Sequence, residues 1–179
     1  LTLLEGKQIF VTGFMATGKS KISPILAALT NRAYLDTDEM IVEKAGKSIP
    51  DIFNQDGEDV FRDLEHECVK EAAVGSASIV SLGGGAIAHD RNWDAIGSNG
   101  VSLCIRASVE TIFDRVSRKR DERPLLAGLD DEACLAKITA MMGEREAYYA
   151  RANVFVTSDE VKSPEDAAVE ALEPLKGLA

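Results

Sequence analysis

The sequence lacks the features that mark membrane, secreted or nucleic-acid-binding proteins. No apolar run approaches the ~20 residues that a helix needs to span a bilayer. No basic segment followed by an apolar one opens the chain, so no secretory signal is expected. Basic residues are outnumbered 20 to 30, and the net charge of −10 argues against binding to nucleic acids or anionic membranes. Small anionic ligands are still compatible with this charge where basic residues gather locally.

Cysteine is also scarce, since Cys68, Cys104 and Cys134 are far apart and odd in number. Their spacing matches no metal site, and we interpret them as reduced thiols that serve as plain core or surface residues. Reduced thiols and the missing signal predict a cytoplasmic protein, which we expect to be a monomer. Because the sequence begins at Leu1 rather than Met, a plastid protein that has lost a targeting segment is an alternative.

The chain does have a regular alternation of short strands and helices. Strand-like runs rich in β-branched residues cover residues 8–12, 33–36, 78–82, 101–105 and 153–157. Helix-period segments cover residues 19–29, 39–45, 58 to about 74, 109–118, 131–150 and 165–175. This alternation predicts an α/β fold in one domain, residues 1–179, with a parallel sheet covered by helices on both faces. Residues 116–130 have Pro, Gly and no clean periodicity, which is typical of a mobile loop or lid rather than core.

The most specific single motif is GFMATGKS, residues 13–20, which fits G-x-x-x-x-G-K-[ST] between a predicted strand and a predicted helix. Its glycines let backbone N–H groups turn toward phosphate oxygens, and the helix N-terminus adds a favourable dipole. Lys19 is expected to reach the β- and γ-phosphates, and the Ser20 hydroxyl to ligate Mg²⁺. The candidate nucleotide contacts are Gly13, Ala16, Thr17, Gly18, Lys19, Ser20 and Lys21. The alternative is a chance glycine-rich turn. The guanine-recognition sequence N-K-x-D is absent, which argues against a GTPase switch.

Two aspartates, Asp36 and Asp38, stand at the end of the second predicted strand. Strand carboxyl ends line the ligand crevice of an open α/β sheet, and residues i and i+2 of an extended stretch point to the same side. One carboxylate can therefore assist Mg²⁺, while the other orients an attacking hydroxyl or accepts its proton. The alternative for Asp38 is a helix N-cap.

Arginines and glycines farther along the chain indicate a second ligand. Arg62 and Glu65 share a helix face, and Gly83–Gly85 follow the third strand, where glycines allow backbone to approach a ligand closely. The guanidinium of Arg123 can bind the oxygens of a transferring phosphoryl group. Those of Arg62 and Arg145 can pair with a carboxylate on the acceptor. The alternative for Arg62 and Glu65 is a surface ion pair, and the alternative for Gly83–Gly85 is a simple tight turn. Two separated arginines favour a small acidic substrate over a neutral sugar or water.

In chain order, the motifs GFMATGKS, DTD, FRxxE, GGG, RPLL and ERxxxY resemble those of the shikimate kinase family. The resemblance spans residues 13–149 and is far more specific than the phosphate loop alone. It implies a three-layer P-loop fold of the nucleoside-monophosphate-kinase type, with a five-stranded parallel sheet. It further implies a substrate-binding segment at about residues 37–66, a lid at about residues 116–130, and ATP-dependent phosphorylation of the 3-hydroxyl of shikimate with Mg²⁺.

The same resemblance implies roles for single residues. The implied shikimate contacts are Asp38, Arg62, Gly83, Gly84, Gly85 and Arg145, with Phe53 and Phe61 as an apolar wall under the substrate ring. The implied phosphate contacts are Lys19 and Arg123, the implied metal ligands Ser20 and Asp36, and the implied catalytic residues Asp38, Lys19 and Arg123. As bare sequence, each phenylalanine is more often plain core. Any of Arg115, Arg118 and Arg120 can stack on adenine, with a solvated basic run as the alternative.

Two other functions stay open on sequence grounds. Another small-molecule P-loop kinase, such as a gluconate kinase, accounts for the phosphate loop but makes no particular use of FRxxE, GGG and RPLL. A degenerate kinase serving as a nucleotide-binding module is expected to have lost Lys19, Asp38 or one of the arginines, and all are present. The ligands that we expect are ATP and shikimate, with no nucleic acid and no membrane.

Overall fold

The computed structural model describes residue 4, residues 6–118, residue 123 and residues 125–178. Its strands are β1 (Gln8–Thr12), β2 (Ala33–Asp36), β3 (Ser78–Ser81), β4 (Gly100–Arg106) and β5 (Val154–Thr157). Its helices are α1 (Lys19–Thr30), α2 (Thr37–Ala45), α3 (Ile49–Gln55), α4 (Glu58–Ala73), α5 (Asp90–Asn99), α6 (Val109–Ser117), α7 (Asp131–Tyr149) and α8 (Pro164–Lys176). A 3-10 turn, Ala86–Ala88, lies between β3 and α5. Arg120 and Pro124, which belong to predicted motifs, lie outside the described residues.

The five strands form one parallel sheet in the order β2-β3-β1-β4-β5. The central strand β1 is buried at every position, as expected for a parallel sheet with both faces covered. Ile9 of β1 pairs with Ile79 of β3 on one side and with Val101 of β4 on the other. Since all strands run the same way, their carboxyl ends share one edge of the sheet. The predicted five-stranded parallel sheet is confirmed.

Helices cover both faces of the sheet and complete three layers. On one face, α1 and α8 contribute Ile22, Leu26, Ala168 and Ala171 to an apolar cluster with the strands. On the other face, α4, α5, α6 and α7 contribute Val69, Trp93, Ile112 and Ile138. A third and smaller cluster joins α2, α3 and α4 through Ile41, Ile52, Phe61 and Cys68. This small cluster lies within and next to the predicted substrate-binding segment.

Two helices, α3 and α5, are absent from the sequence-based prediction. The seven-residue α3 begins with a capping signal, since the Ser48 hydroxyl accepts a hydrogen bond from the Asp51 amide and Pro50 follows in the first turn. The ten residues of α5 are mostly polar, and its buried apolar residues are Trp93 and Ile96. With so few apolar positions, the segment shows no helical periodicity of apolar residues from which a helix could be predicted.

The interpretation of the cysteines is confirmed, because Cys68, Cys104 and Cys134 are buried and free. The predicted lid differs from expectation at Leu126, which is fully buried in the cluster formed with α4–α7. The burial of this side chain anchors this part of the segment on the core, and the Leu126 amide donates locally to the Arg123 carbonyl at 2.9 Å. Within the described ranges, no helix is long and apolar enough to cross a membrane.

The first strand depends on one buried amide side chain. Gln8, which is 1% exposed, donates to the carbonyls of Ala72 and Gly75, both at 3.0 Å, and accepts from the Ser78 amide. In Gln8→Leu these backbone groups lose their partners, so we expect the free energy of unfolding to fall by about 2–4 kcal/mol in urea denaturation. The control Lys7→Ala alters an exposed neighbour and is expected to unfold at the wild-type urea concentration. Equal midpoints for the wild type and Gln8→Leu would contradict the role of Gln8.

Candidate active site

The phosphate loop, residues 13–20, joins the carboxyl end of β1 to the start of α1, as the motif predicted. Gly13 and Gly18 have φ angles of 143° and 98°, which residues with a side chain rarely adopt. A Cβ at Gly13 would also lie 2.3 Å from the Ile105 carbonyl oxygen of β4. The Thr17 hydroxyl closes the loop by donating to the Phe14 carbonyl at 2.8 Å. Both glycines are therefore required for the loop to leave the central strand.

Lys19 lies across this loop and faces the two aspartates. Its ammonium group donates to the carbonyls of Gly13, at 2.7 Å, and Phe14, at 3.0 Å. Burial lowers the pKa of Lys19 to about 8, and the negative charges of Asp38 and Asp36 partly oppose that shift. The carboxylates are thus near enough to act on the charge of Lys19, and the phosphate loop and the DTD motif form one site.

The two aspartates do not share an extended stretch, so that part of the prediction is wrong. Strand β2 ends at Asp36, which is itself the N-cap of α2. One oxygen of Asp36 accepts from the Asp38 amide and the other from the Tyr34 hydroxyl, both at 2.9 Å. The alternative of Asp38 as N-cap is also wrong, because Asp38 lies in the first turn of the helix. Its carboxylate is therefore left to face the neighbouring cavity.

The carboxylate of Asp38 is surrounded by charges of both signs. Burial and the negative charge of Asp36 raise the pKa of Asp38. The positive charges of Lys19, Arg62 and Arg123 lower it, but the net direction is upward. A raised pKa makes a carboxylate a better proton acceptor. Asp38 lies near Lys19 and Arg123, which are predicted to bind phosphate, and near Arg62, which is predicted to bind the acceptor.

A cavity of about 400 Å³ lies beside Asp38 and collects residues from distant parts of the chain. The predicted residues in its lining are Asp38, Phe53, Phe61, Arg62, Gly83, Gly84, Gly85, Arg123 and Arg145. The lining residues outside the prediction are Met15, Val42, Ile49, Pro50, Glu65 and Leu125. All the predicted acceptor residues are therefore brought together in one place.

Arg62 is held at this cavity by two glutamates and one ring. Its guanidinium donates to Glu65 at 2.9 Å and to Glu58 at 3.0 Å, and its Cζ lies 5.0 Å from the centre of the Phe61 ring. The alternative of a surface ion pair is wrong, since Glu65 is 1% exposed. The Phe53 and Phe61 rings, 4.6 Å apart between centroids, line the cavity and also belong to the small cluster of α2, α3 and α4. The two phenylalanines are thus both core and cavity wall.

Glu65 is the functional candidate that the sequence reasoning did not commit to. Burial raises its pKa, which the charge of Arg62 opposes. Its Oε2 binds Arg62, whereas its Oε1 is buried with no hydrogen-bond partner among the described residues. A buried acceptor without a partner is costly, so this oxygen suits a ligand hydroxyl or a water molecule. The FRxxE motif was the signal that pointed to it.

The three glycines after β3 are needed for close approach and not for unusual backbone angles, since their φ values are not positive. A Cβ at Gly83 would lie 2.8 Å from an Asp38 carboxylate oxygen. A Cβ at Gly85 would lie 2.8 Å from the Arg62 guanidinium. The alternative of a simple tight turn therefore falls short, because side chains here would displace both charged groups.

Gly84 touches the phosphate loop on one side and α7 on the other. A Cβ at Gly84 would lie 3.1 Å from the Met15 amide nitrogen. Its carbonyl accepts from the Tyr149 hydroxyl at 2.7 Å and from the Arg145 guanidinium at 3.3 Å. The Arg145 guanidinium also lies 5.8 Å from the centre of the Phe14 ring. The donor and acceptor halves of the site thus meet at one glycine.

A second cavity, of about 460 Å³, adjoins the start of α1 and the segment 158–164. Arg115, in its lining, donates to the carbonyl of Ala16 and the hydroxyl of Ser158, both at 3.1 Å, and pairs with Glu160 at 3.0 Å. Arg115 therefore ties the phosphate loop to that segment. Arg118 lines the same cavity and is exposed.

Comparison with known proteins gives a consistent picture. The family model described as shikimate kinase matches residues 15–176. A shikimate kinase from Gloeobacter violaceus is 35% identical over 156 residues, which cover 87% of this chain and 86% of that protein. A shikimate kinase from Acinetobacter baumannii, solved in complex with shikimate, superposes with a TM-score of 0.91 at 28% identity, covering 99% of this chain and 97% of that one.

The fold alone does not separate the kinases considered from the sequence. A gluconokinase from Sinorhizobium meliloti superposes with a TM-score of 0.62 at 13% identity, which shows a shared fold and no more. The family model and the curated relatives do separate them, and they agree with the cavity that collects DTD, FRxxE, GGG and ERxxxY. The chain belongs to the shikimate kinase family.

Proposed function

We propose that this chain transfers the γ-phosphoryl group of ATP to the 3-hydroxyl of shikimate, giving shikimate 3-phosphate and ADP. The observation that carries the proposal is one cavity in which Asp38 faces Arg62 and Arg145 beside the phosphate loop. Family membership and the Acinetobacter baumannii relative, whose structure contains shikimate, support this choice of acceptor. A gluconate kinase has no comparable support.

The acceptor half is suited to a small ring that carries a carboxylate. Arg62 and Arg145 would bind the carboxylate, because charge-assisted hydrogen bonds from guanidinium groups match its two oxygens. Phe53 and Phe61 would contact the ring, and the Gly83–Gly85 backbone lies close enough to reach the ligand. Asp38 would accept a hydrogen bond from the attacking hydroxyl.

The donor half is suited to a nucleoside triphosphate. The backbone N–H groups of residues 13–20 would hold the phosphates together with Lys19 and Arg123. Lys21 lines the second cavity. That cavity is a candidate site for adenine. Arg118 is the better candidate for stacking on the base, because the guanidinium of Arg115 already bonds to the protein.

The oxygen ligands at this edge of the sheet fit Mg²⁺. The Ser20 hydroxyl is exposed at the start of α1, and two hydrogen bonds orient the Asp36 carboxylate. Mg²⁺ commonly keeps several waters and binds through one or two protein groups plus phosphates. When bound with ATP, Mg²⁺ would neutralise charge on the β- and γ-phosphates.

The chemistry expected of these residues is in-line phosphoryl transfer. Asp38 would orient the acceptor hydroxyl and take its proton, while Lys19 and Arg123 stabilise charge on the moving group. Because the transition state is loose, positioning contributes more than deprotonation. Closure of the predicted lid over the site would exclude water, which otherwise competes as acceptor. A monomer acting in the cytoplasm stays our prediction for the protein as a whole.

The function is tested by coupled detection of ADP with a panel of acceptors that includes shikimate and gluconate. We expect turnover with shikimate, and in Asp38→Asn a fall in kcat of about 10²–10⁴ with ATP binding intact, because the proton acceptor is lost. Asp59→Asn makes the same change on an exposed face of α4 and is expected to keep wild-type activity. Turnover of gluconate without shikimate would favour the other kinase, and ATP binding without any turnover would favour a binding module.

The two arginines are tested by removing one charge at a time. In Arg62→Gln and in Arg145→Gln we expect KM for shikimate to rise by about tenfold to a hundredfold, since each loses a charge-assisted contact, while KM for ATP stays unchanged. Arg151→Gln is a control, because Arg151 pairs with Asp90 where both side chains are well exposed. Normal shikimate binding by both variants would show that the carboxylate lies elsewhere.

The lowered pKa of Lys19 predicts a pH dependence of ATP affinity. With a pKa of about 8, Lys19 loses its positive charge as the pH rises through that value, well below the 10.5 of an ordinary lysine. We therefore expect the Kd for ATP, measured by calorimetry, to increase from about pH 7 to about pH 9. In Lys19→Arg the charge persists over this range, so its affinity is expected to vary less with pH. Equal pH profiles for the two proteins would refute this role of Lys19.

A further inference from the structure

Tyr149 makes a hydrogen bond that has no part in the acceptor-binding roles proposed above. It lies at the last residue of α7, is 5% exposed, and donates its hydroxyl hydrogen bond to the Gly84 carbonyl at 2.7 Å. Burial raises the pKa of Tyr149, so the hydroxyl stays protonated and remains a donor at any working pH. The contact joins residues 65 positions apart in the sequence.

The same carbonyl also receives Arg145, which stands four residues before Tyr149 on one face of α7. The distance from Arg145 to the Gly84 carbonyl is 3.3 Å, clearly longer than the 2.7 Å from Tyr149. A carbonyl oxygen has two lone pairs, and the tyrosine occupies the shorter contact. Without that hydroxyl, the carbonyl would depend on the guanidinium, which would be drawn away from the cavity.

We infer that the Tyr149 hydroxyl is a positioning group for the acceptor: by satisfying the Gly84 carbonyl it fixes the glycine loop and leaves the Arg145 guanidinium available to the substrate carboxylate. The inference rests on the proposed function, since it assumes an acceptor with a carboxylate. Tyr149 itself is not assigned any contact with the substrate. Its effect should therefore appear in binding of the acceptor and pass through Arg145.

The test is Tyr149→Phe, which removes one oxygen and keeps the ring that packs in the core. We expect KM for shikimate to rise by about threefold to tenfold, with kcat and KM for ATP nearly unchanged. The matched control is Tyr148→Phe, which makes the same change at the neighbouring, partly buried residue and is expected to keep wild-type constants. Thermal unfolding of each variant shows whether the fold is retained.

A double-mutant cycle separates positioning from general stability. In an Arg145→Gln background, adding Tyr149→Phe should raise KM for shikimate much less than it does in the wild type, because the group it positions is already gone. Full additivity, an equal effect on both substrates, or a Tyr149→Phe protein that fails to fold would overturn the inference. If the wild-type chain does not phosphorylate shikimate, the proposed function fails and the inference falls with it. Wild-type turnover beside an unchanged KM in Tyr149→Phe overturns the inference alone.

Discussion

The common direction of the five strands is the constraint on which the site depends. Because every pairing is parallel, the carboxyl ends of the strands meet at one edge. That edge receives the phosphate loop after β1, Asp36 and Asp38 around the end of β2, and Gly83–Gly85 after β3. Helices α4 and α7 then bring Arg62 and Arg145 to the same cavity. Residues that are more than 100 positions apart, such as Asp38 and Arg145, become neighbours for this reason.

The basic residues gathered at the site are opposite in sign to the net charge of the whole chain. The protein carries a net −10, yet Lys19, Arg62, Arg123 and Arg145 surround the cavity or the phosphate loop. Burial lowers the pKa of Lys19 and raises the pKa of Asp38, so burial disfavours the charged form of both groups. Each charged form is therefore stabilised by neighbours of the opposite sign. Bound phosphates and a substrate carboxylate would supply negative charge where cations are already gathered. Such an arrangement favours two anionic ligands side by side.

Local sequence signals predicted the strands and the phosphate loop, because each depends on a short pattern, whereas the full set of acceptor residues followed from the resemblance to the shikimate kinase family. The prediction that Asp36 and Asp38 share an extended stretch was wrong. Strand β2 ends at Asp36, because the Asp36 side chain caps α2 by accepting a hydrogen bond from the Asp38 amide. Helix α5 escaped prediction because its sequence is mostly polar and its packing is decided by the tertiary structure. The hydrogen bond from Tyr149 to the Gly84 carbonyl likewise depends on which loop lies opposite α7, and no spacing in the chain encodes that contact.

The most direct measurement is identification of the products formed from ATP, Mg²⁺ and shikimate, by phosphorus and proton NMR of the reaction mixture. The account predicts equal amounts of ADP and shikimate phosphorylated on the 3-hydroxyl, because Asp38 and the phosphate loop adjoin the same cavity. Formation of ADP with free phosphate alone, or of shikimate phosphorylated on a different hydroxyl, would contradict the proposed arrangement of the two substrates.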